Sequence, residues 1–447
     1  MAKKTMHIGF DDTDSTRKGC TTYVAALLVE KLEKLGVEFI DYPNLIRLNP
    51  NVPWKTRGNG ALCLRIRYDG NVEEKIKETV TCAVEENSDL EFRGTDPGVV
   101  FFKSEKIPRE LWVFAKEAIT GVVKLGDALK ILKKYNAEAV GFKKGRGIIG
   151  GLAAVGETLQ GGDFTYEILA YRTPENYGVK RKVDENSIFA MDKATEPYTF
   201  NNVDAEKRRV IITPRGPDPI LFGVRGETPE IVKKAFKMIK PLEPVERWVI
   251  FRTDQGTDAH LKRVKSLSQI KPYSSVITRG TVAENPRMIL GKHVIFPIKD
   301  ESGKVDCAAY EPTGTLRKVA MKLLAGDVLE VYGGVRVPFE DRPLTINLEK
   351  VRLLKVAPQT VYHNPECPEC GKRLKSMGKN QGFRCEKCGS RFPNLAKVES
   401  RSKRDVKRGL YITSTRSQRH LTKPFRRYGL EKRGARVEGL IDGWHSP

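Results

Sequence analysis

The sequence predicts a multidomain α+β protein. An N-terminal α/β unit comes first, then a ferredoxin-like α+β unit, an OB β-barrel and a C-terminal zinc ribbon. Three observations carry this. The chain has 447 residues, more than one hydrophobic core usually supports. Its pattern changes from mixed helix and strand text to a β-rich stretch from Val276 to Val356. Two cysteine pairs, Cys367-Pro-Glu-Cys370 and Cys385-Glu-Lys-Cys388, follow at the spacing C-x2-C-x14-C-x2-C.

In chain order, Met6 to Phe10 reads as a short apolar strand that runs into an acidic turn. Val24, Leu27, Leu28, Leu32 and Leu35 recur at helical spacing, so a helix is predicted over Thr22 to Leu35. Asn44 to Leu48 and Ala61 to Tyr68 are strands, joined by the basic, glycine-bearing loop Pro53 to Gly60. Helices follow over Glu73 to Val84 and Lys124 to Tyr135, and a strand over Phe164 to Tyr171. Thr173 to Phe200 is polar, which puts a domain boundary near Asn201. Strands at Val210 to Ile212, Ile220 to Val224 and Trp248 to Phe251, with a helix over Pro229 to Ile239, give a β-β-α-β order. That order suits a ferredoxin-like unit which completes its sheet elsewhere. Beyond it, Val294, Phe296 and Ile298 alternate into a turn, and Val305, Cys307 and Ala309 alternate out of it. A helix from Leu316 and strands over Val328 to Tyr332 and Leu344 to Val351 complete the order of an OB barrel.

Charge points to a polyanionic partner. Lys and Arg number 79 against 56 Asp and Glu, a formal net charge of +23. Arg401 to Arg436 alone carries 13 basic and two acidic residues, with aromatics interleaved, which favours an RNA-contacting arm over an inert solvated tail. No apolar run nears the roughly 18 residues of a membrane helix, and the first residues lack a signal-peptide core, so a cytoplasmic protein without membrane contact is expected. Four of the eight cysteines form the paired cluster, which is metal-site usage. Four thiolates close a zinc tetrahedron and leave no open position, so Cys367, Cys370, Cys385 and Cys388 are expected to hold structural Zn²⁺. Phe383 and Arg384, beside the second pair, suit either RNA stacking or packing.

Chemistry is expected in the stretch HIGFDDTDSTRKGCTT, His7 to Thr22, where Asp11, Asp12 and Asp14 fall within four positions. A strand that delivers clustered acids to a loop before a helix is a common way to hold Mg²⁺ against a triphosphate. An Asp-rich turn with Asp14 or Ser15 capping the helix fits the same residues. Gly145-Arg146-Gly147-Ile148-Ile149-Gly150 matches G-x-G-x-x-G next to Lys143 and Lys144. It suits a phosphate cradle and a glycine-rich helix packed on a sheet equally well. No ribose-binding acid sits at the dinucleotide distance, and no Walker A or kinase motif is present.

Taken together, GFDDTDS…CTTY, RLNPNVPWKTRGNGA, KKGRGIIGGLAAVG and TFNNVD, with an OB barrel and a terminal ribbon, resemble the archaeal tRNA-Ile 2-agmatinylcytidine synthetases over nearly the whole chain. The resemblance implies an ATP- and Mg²⁺-dependent kinase-like catalytic domain over 1–200, a ferredoxin-like domain over 201–265 that shares sheet with the preceding region, an OB domain over 270–357, a ribbon over 362–397 and a basic tail over 398–447. It implies agmatine as co-substrate and isoleucine tRNA with a CAU anticodon as partner, the wobble cytosine exchanging its carbon-2 oxygen for agmatine. Asp11, Asp12 and Asp14 take the metal and phosphoryl-transfer roles, with Asp11 and Asp12 on Mg²⁺, and Thr21 is the autophosphorylated threonine. Lys55, Arg57, Lys143, Gly145, Arg146 and Gly147 are the expected ATP contacts. A non-enzymatic RNA-binding protein would leave the acids and glycine loops unexplained, and an ATP-dependent enzyme acting on another RNA site differs only in its product.

Overall fold

The computed structural model describes residues 3–339, 343–432 and 439–446. Its largest feature is a ten-stranded mixed sheet. The strand Lys4–Asp11 lies between Gly60–Tyr68 and Gly98–Lys103, antiparallel to both. Apart from exposed Lys4 and half-buried Asp11 at its ends, every residue of this strand is buried, because helices cover both faces of the sheet. One of these is Thr21–Glu33, which buries Val24, Leu28 and Leu32 at helical spacing as expected. The other is Gly147–Gly156, packed so closely that a Cβ on Gly9 would lie 2.0 Å from the Gly151 carbonyl oxygen. Within the glycine motif, a Cβ on Gly147 would lie 2.4 Å from the Asp11 carbonyl oxygen, so this glycine too serves helix–sheet contact.

The sheet continues without a break into the ferredoxin-like half. Asn44–Arg47 pairs with Val245–Thr253 in parallel, and Thr165–Arg172 sits between Val245–Thr253 and Ile220–Gly226. The β-β-α-β unit thus completes its sheet with a strand from the preceding region. Three details differ from the expectation. Thr173 to Phe200 is not all loop: Glu185–Thr195 is a helix capped by Asp184, burying Ile188 and Met191. Two apolar residues on one turn give too weak a period to read. Val210 to Ile212 is no strand of the large sheet; only Arg209–Val210 pairs, with Val203–Asp204. Gly98–Lys103, Arg109–Thr120 and Glu138–Gly141 are further elements of the first half. One apolar core runs through both halves.

The strands Ser275–Val282, His293–Asp300, Gly303–Ala309, Val328–Arg336 and Thr345–Lys355 form the OB barrel. It closes through Thr281 opposite Lys299, and Thr315–Ala320 precedes the fourth strand. The ribbon's core is small: Leu374 and Phe383 with Cys367 and Cys385 are its buried residues. So thin a core depends on metal for its folding energy. Phe383 is therefore packing, while Arg384 is exposed.

The basic C-terminal segment does not extend as an arm. Gly409–Ile412 adds a strand to the barrel beside Thr345–Lys355. The chain then crosses to the ferredoxin-like half, where Arg427 is fully buried between Asp163 and Glu227. Arg404, Arg416, Arg419, Lys423, Arg426 and Lys432 are also ion-paired inside the molecule. The segment expected as an RNA arm thus runs as a strap across the molecule, with most of its described cations held by acids of the same chain. The last part of the basic run, residues 433–436, lies outside the described residues.

Candidate active site

Where the first strand ends, the chain turns sharply. Asp12 has a φ of 64°, a left-handed conformation that aspartate tolerates. The turn aims Asp11, Asp12 and Asp14 into a cleft of about 240 Å³ that Thr21, Arg47, Trp54, Lys55, Arg57 and Arg146 also line. The loop is held from several sides. Thr95 donates its hydroxyl to the Asp14 carbonyl at 2.8 Å, and the Asp96 amide donates to Asp12 Oδ2 at 3.1 Å.

The three acids are not equivalent. Asp12 is paired with Arg146, Nη2 to Oδ2 at 2.8 Å. Asp14 is paired with Arg57 at 2.7 Å. Asp11 has no ion pair among the described residues. Burial pushes its carboxyl up to about 8, and the charges of Asp12 and Asp14 add to the rise. Burial also raises Asp12, to about 6, although Arg146 opposes the shift. Gly150 makes room for Asp11: a Cβ there would lie 2.0 Å from Asp11 Oδ2. The three acids do not converge as a three-ligand group. Asp11, without an ion pair and beside two acids that arginines hold, is the carboxylate left to meet a hard divalent cation, which needs only one or two.

Thr21 is the first residue of its helix, and the N-cap residue Cys20 makes no side-chain cap bond. Neither Asp14 nor Ser15 caps the helix; Ser15 instead donates to Asp89 at 2.6 Å. The Thr21 hydroxyl lies 3.0 Å from the Thr13 hydroxyl, which donates to it, and it faces the same cleft as the acids.

The six expected ATP-contacting residues divide into two groups. Lys55, Arg57 and Arg146 line the cleft, whereas Lys143, Gly145 and Gly147 do not. Lys143 donates to the Phe92 carbonyl at 2.6 Å. The Gly147 amide, at the helix start, is taken by the Asp96 carbonyl at 2.8 Å, so it is not free to cradle phosphate. Sequence reasoning missed Asp218, which binds Arg57 at 3.3 Å and so ties the basic loop to the ferredoxin-like half. It also missed Arg47 and His420 in the cleft wall. No local motif marks any of the three; a position far away in sequence becomes a neighbour only through the shared sheet.

The ribbon's sulfurs converge. Ligand atoms of Cys367, Cys370, Cys385 and Cys388 lie within 4.8 Å of one another. The amides of Lys387 and Cys388 point at Cys385 Sγ, which favours the thiolate that zinc binds.

Comparison with known proteins agrees with this architecture. Residues 7–144 match the model of the TiaS TCKD domain, 145–260 the TiaS FLD domain, 276–354 the OB-fold nucleic acid binding domain and 364–406 the TiaS C-terminal zinc ribbon domain. The isoleucine-tRNA 2-agmatinylcytidine synthetase TiaS of Methanosarcina mazei is 43% identical over 94% of this chain and 96% of its own length. The chain belongs to the TiaS family. Among solved structures, the complex of TiaS with its isoleucine tRNA and ATP superposes with a TM-score of 0.84 at 40% identity, covering 98% of this chain and 99% of that one. The complex of TiaS with the same tRNA, AMPCPP and agmatine gives 0.81 at 38% identity, with the same coverage. No helix among the described residues is long and apolar enough to cross a membrane.

Proposed function

We propose that this chain is the ATP-dependent ligase that joins agmatine to carbon 2 of the wobble cytidine of isoleucine tRNA with a CAU anticodon. The supporting observation is the joining of an acid-lined, arginine-flanked cleft to an OB barrel and zinc ribbon in one chain, in the same family and over the same length as TiaS proteins solved with isoleucine tRNA, an ATP analogue and agmatine.

A ring carbonyl oxygen is a poor leaving group. Phosphoryl transfer from ATP makes it a good one, and the primary amine of agmatine then displaces it at carbon 2. Such transfer is mostly positioning and charge neutralisation. In our reading Lys55, Arg57 and Arg146 neutralise the phosphates. Thr21 presents a hydroxyl to them. Asp11 and Asp12 would hold Mg²⁺, whose charge offsets that of the triphosphate. Asp14 keeps Arg57 in place. Lys143, Gly145 and Gly147 have no part in this reading, since they do not line the cleft. The divisions of the chain at about residues 265, 357 and 397 stay our assignment of labour. The first division moves from about 200 to about 145, where the two TiaS domain models meet and ahead of the strand Thr165–Arg172 that belongs to the ferredoxin-like sheet. A cytoplasmic location goes with a tRNA substrate and with cysteines that form no disulfide among the described residues.

The test combines the purified protein, ATP, labelled agmatine and the tRNA transcript. Label on the wobble cytidine is the expected result. ATP turnover without label points to another RNA site, and no ATP use points to a binding protein.

A further inference from the structure

The catalytic cleft has a neighbour. A second cavity of about 980 Å³ lies on the ferredoxin-like side and shares Pro214, Asp218 and His420 with it as a common wall. The side chains of Lys180, Arg209 and Arg215 line this chamber and have no ion pair or hydrogen bond among the described residues. Free cations around a roomy cavity suit a polyanionic strand.

His420 differs from the rest of that wall in its origin, because it comes from the C-terminal strap. Its carbonyl accepts from the Gly256 amide at 2.8 Å, and Thr422 donates to Glu349 of the barrel at 2.6 Å. Further along the chain, Arg427 locks the strap to Asp163 and Glu227. The ring is thus fixed from both sides. Nδ1 is committed to the protein, with Arg225 Nη2 and Gln255 Oε1 each 3.0 Å away. Nε2 has no hydrogen-bond partner among the described residues, and the residue is only partly buried. The basic loop leaves space for it: a Cβ on Gly58 would lie 3.1 Å from Nε2. Burial, with Arg47, Arg225 and Lys55 nearby, holds the imidazole neutral by pushing it well below its ordinary range. His420 lines both cavities, and a neutral ring nitrogen in such a wall offers a directional hydrogen bond without adding charge, which is how a base edge is recognised.

We propose that His420 is a substrate-contacting residue, whose Nε2 hydrogen-bonds the RNA base that enters the cleft from the chamber. The proposal rests on the reading above that the target is the wobble cytidine. It also gives the strap a function: joining the RNA-carrying and catalytic halves completes the base site.

The test is a binding cycle with the full chain. The probes are the tRNA transcript and the same tRNA with an abasic wobble position. His420→Ala should weaken binding of the intact tRNA about tenfold and of the abasic one by less than about twofold. His420→Gln, whose amide nitrogen reaches the place of Nε2, should restore most of the affinity. His420→Asn, which mimics Nδ1, should not. Agmatine incorporation should fall in the same order. Equal losses on both RNAs, or no loss on either, would overturn the proposal. So would Gln and Asn variants that behave alike. A wild-type protein that incorporates no agmatine but still shows the wobble-dependent loss would overturn the functional reading and leave the His420 contact standing.

Discussion

The acidic loop at Asp11 to Asp14 and the basic segment from Arg401 to Lys432 are both runs of like charge, yet the fold treats them oppositely. The loop keeps one acid unpaired in a cleft, at the cost of raising its carboxyl to about 8. In the basic segment, by contrast, seven of the 11 described Lys and Arg residues are bound to acids of the same chain. Formal charge counts both runs alike. Charge available to a ligand is what remains after internal pairing, and only the ordered structure shows that remainder.

The largest effect that separates the two segments is on chemistry. Asp11→Asn should lower ATP turnover on the order of a thousandfold, about 4 kcal/mol, since a carboxylate that meets a metal–triphosphate acts mainly in the transition state. Folding should not suffer. Steady-state turnover alongside a thermal melt checks both halves of the claim. Turnover within about threefold of wild type would remove Asp11 from the site.

Arg427→Met is the matching test on the strap. It leaves Asp163 and Glu227 without their shared arginine, a broken buried pair that typically costs about 3–5 kcal/mol. Lys432 still reaches Glu227 at 2.8 Å, so the lower end of that range is expected. The melting temperature should drop, while the salt dependence of tRNA binding stays as it was. A stable variant with a flattened salt dependence would mean that Arg427 meets RNA rather than the fold.

The contrast between the segments also explains what could be read from sequence. Asp11, Asp12, Asp14 and Thr21 lie within 11 residues of one another, so a strand–loop–helix reading finds their shared cleft. The four cysteines were legible for the same reason, with knuckle geometry set by local spacing. Asp218 and His420 reach the cleft across the sheet and along the strap, and no local period records that. The glycine motif shows the opposite failure. Its pattern is local, but the contacts of Gly147 and Gly150 with Asp11 fix where it packs, and only Arg146, Ile149 and Gly150 of the motif reach the cleft.

Asp11 makes a further difference through pH. Its folded value, about 8, lies above that of an unfolded aspartate, so the folded state holds a proton that the unfolded state has lost. Its contribution to stability is fully present below about pH 4 and is lost as pH rises to about 8. Asp12, raised to about 6, adds to the loss over the lower part of that window. Allowing for solvent in the cleft, the Asp11 effect is about 2 kcal/mol. Asp11→Asn should therefore be more stable than wild type at pH 8 and nearly equal to it at pH 4. Denaturant melts at the two values check this, and parallel pH profiles for the two proteins would contradict the unpaired-acid assignment.

The smallest effect is the most direct test of available charge. Arg401, Lys403, Lys407 and Arg408 are the described cations of the basic segment without an ion pair, and they precede the strand Gly409–Ile412. If the ribbon-proximal end of the strap meets tRNA, these four are the phosphate contacts. Each neutralised phosphate contributes about one to the slope of log affinity against log salt. Arg401→Ala with Arg408→Ala should lower that slope by up to about two and weaken binding a few-fold at moderate salt. Arg426→Ala removes a cation already spent on Asp192, 2.8 Å away. Its slope should match wild type, although its stability falls slightly. Titrations at three salt concentrations compare the variants directly. If Arg426→Ala flattened the slope as much as the double variant, formal charge would be the better guide to RNA binding, and the distinction between the paired and free cations of this segment would fail.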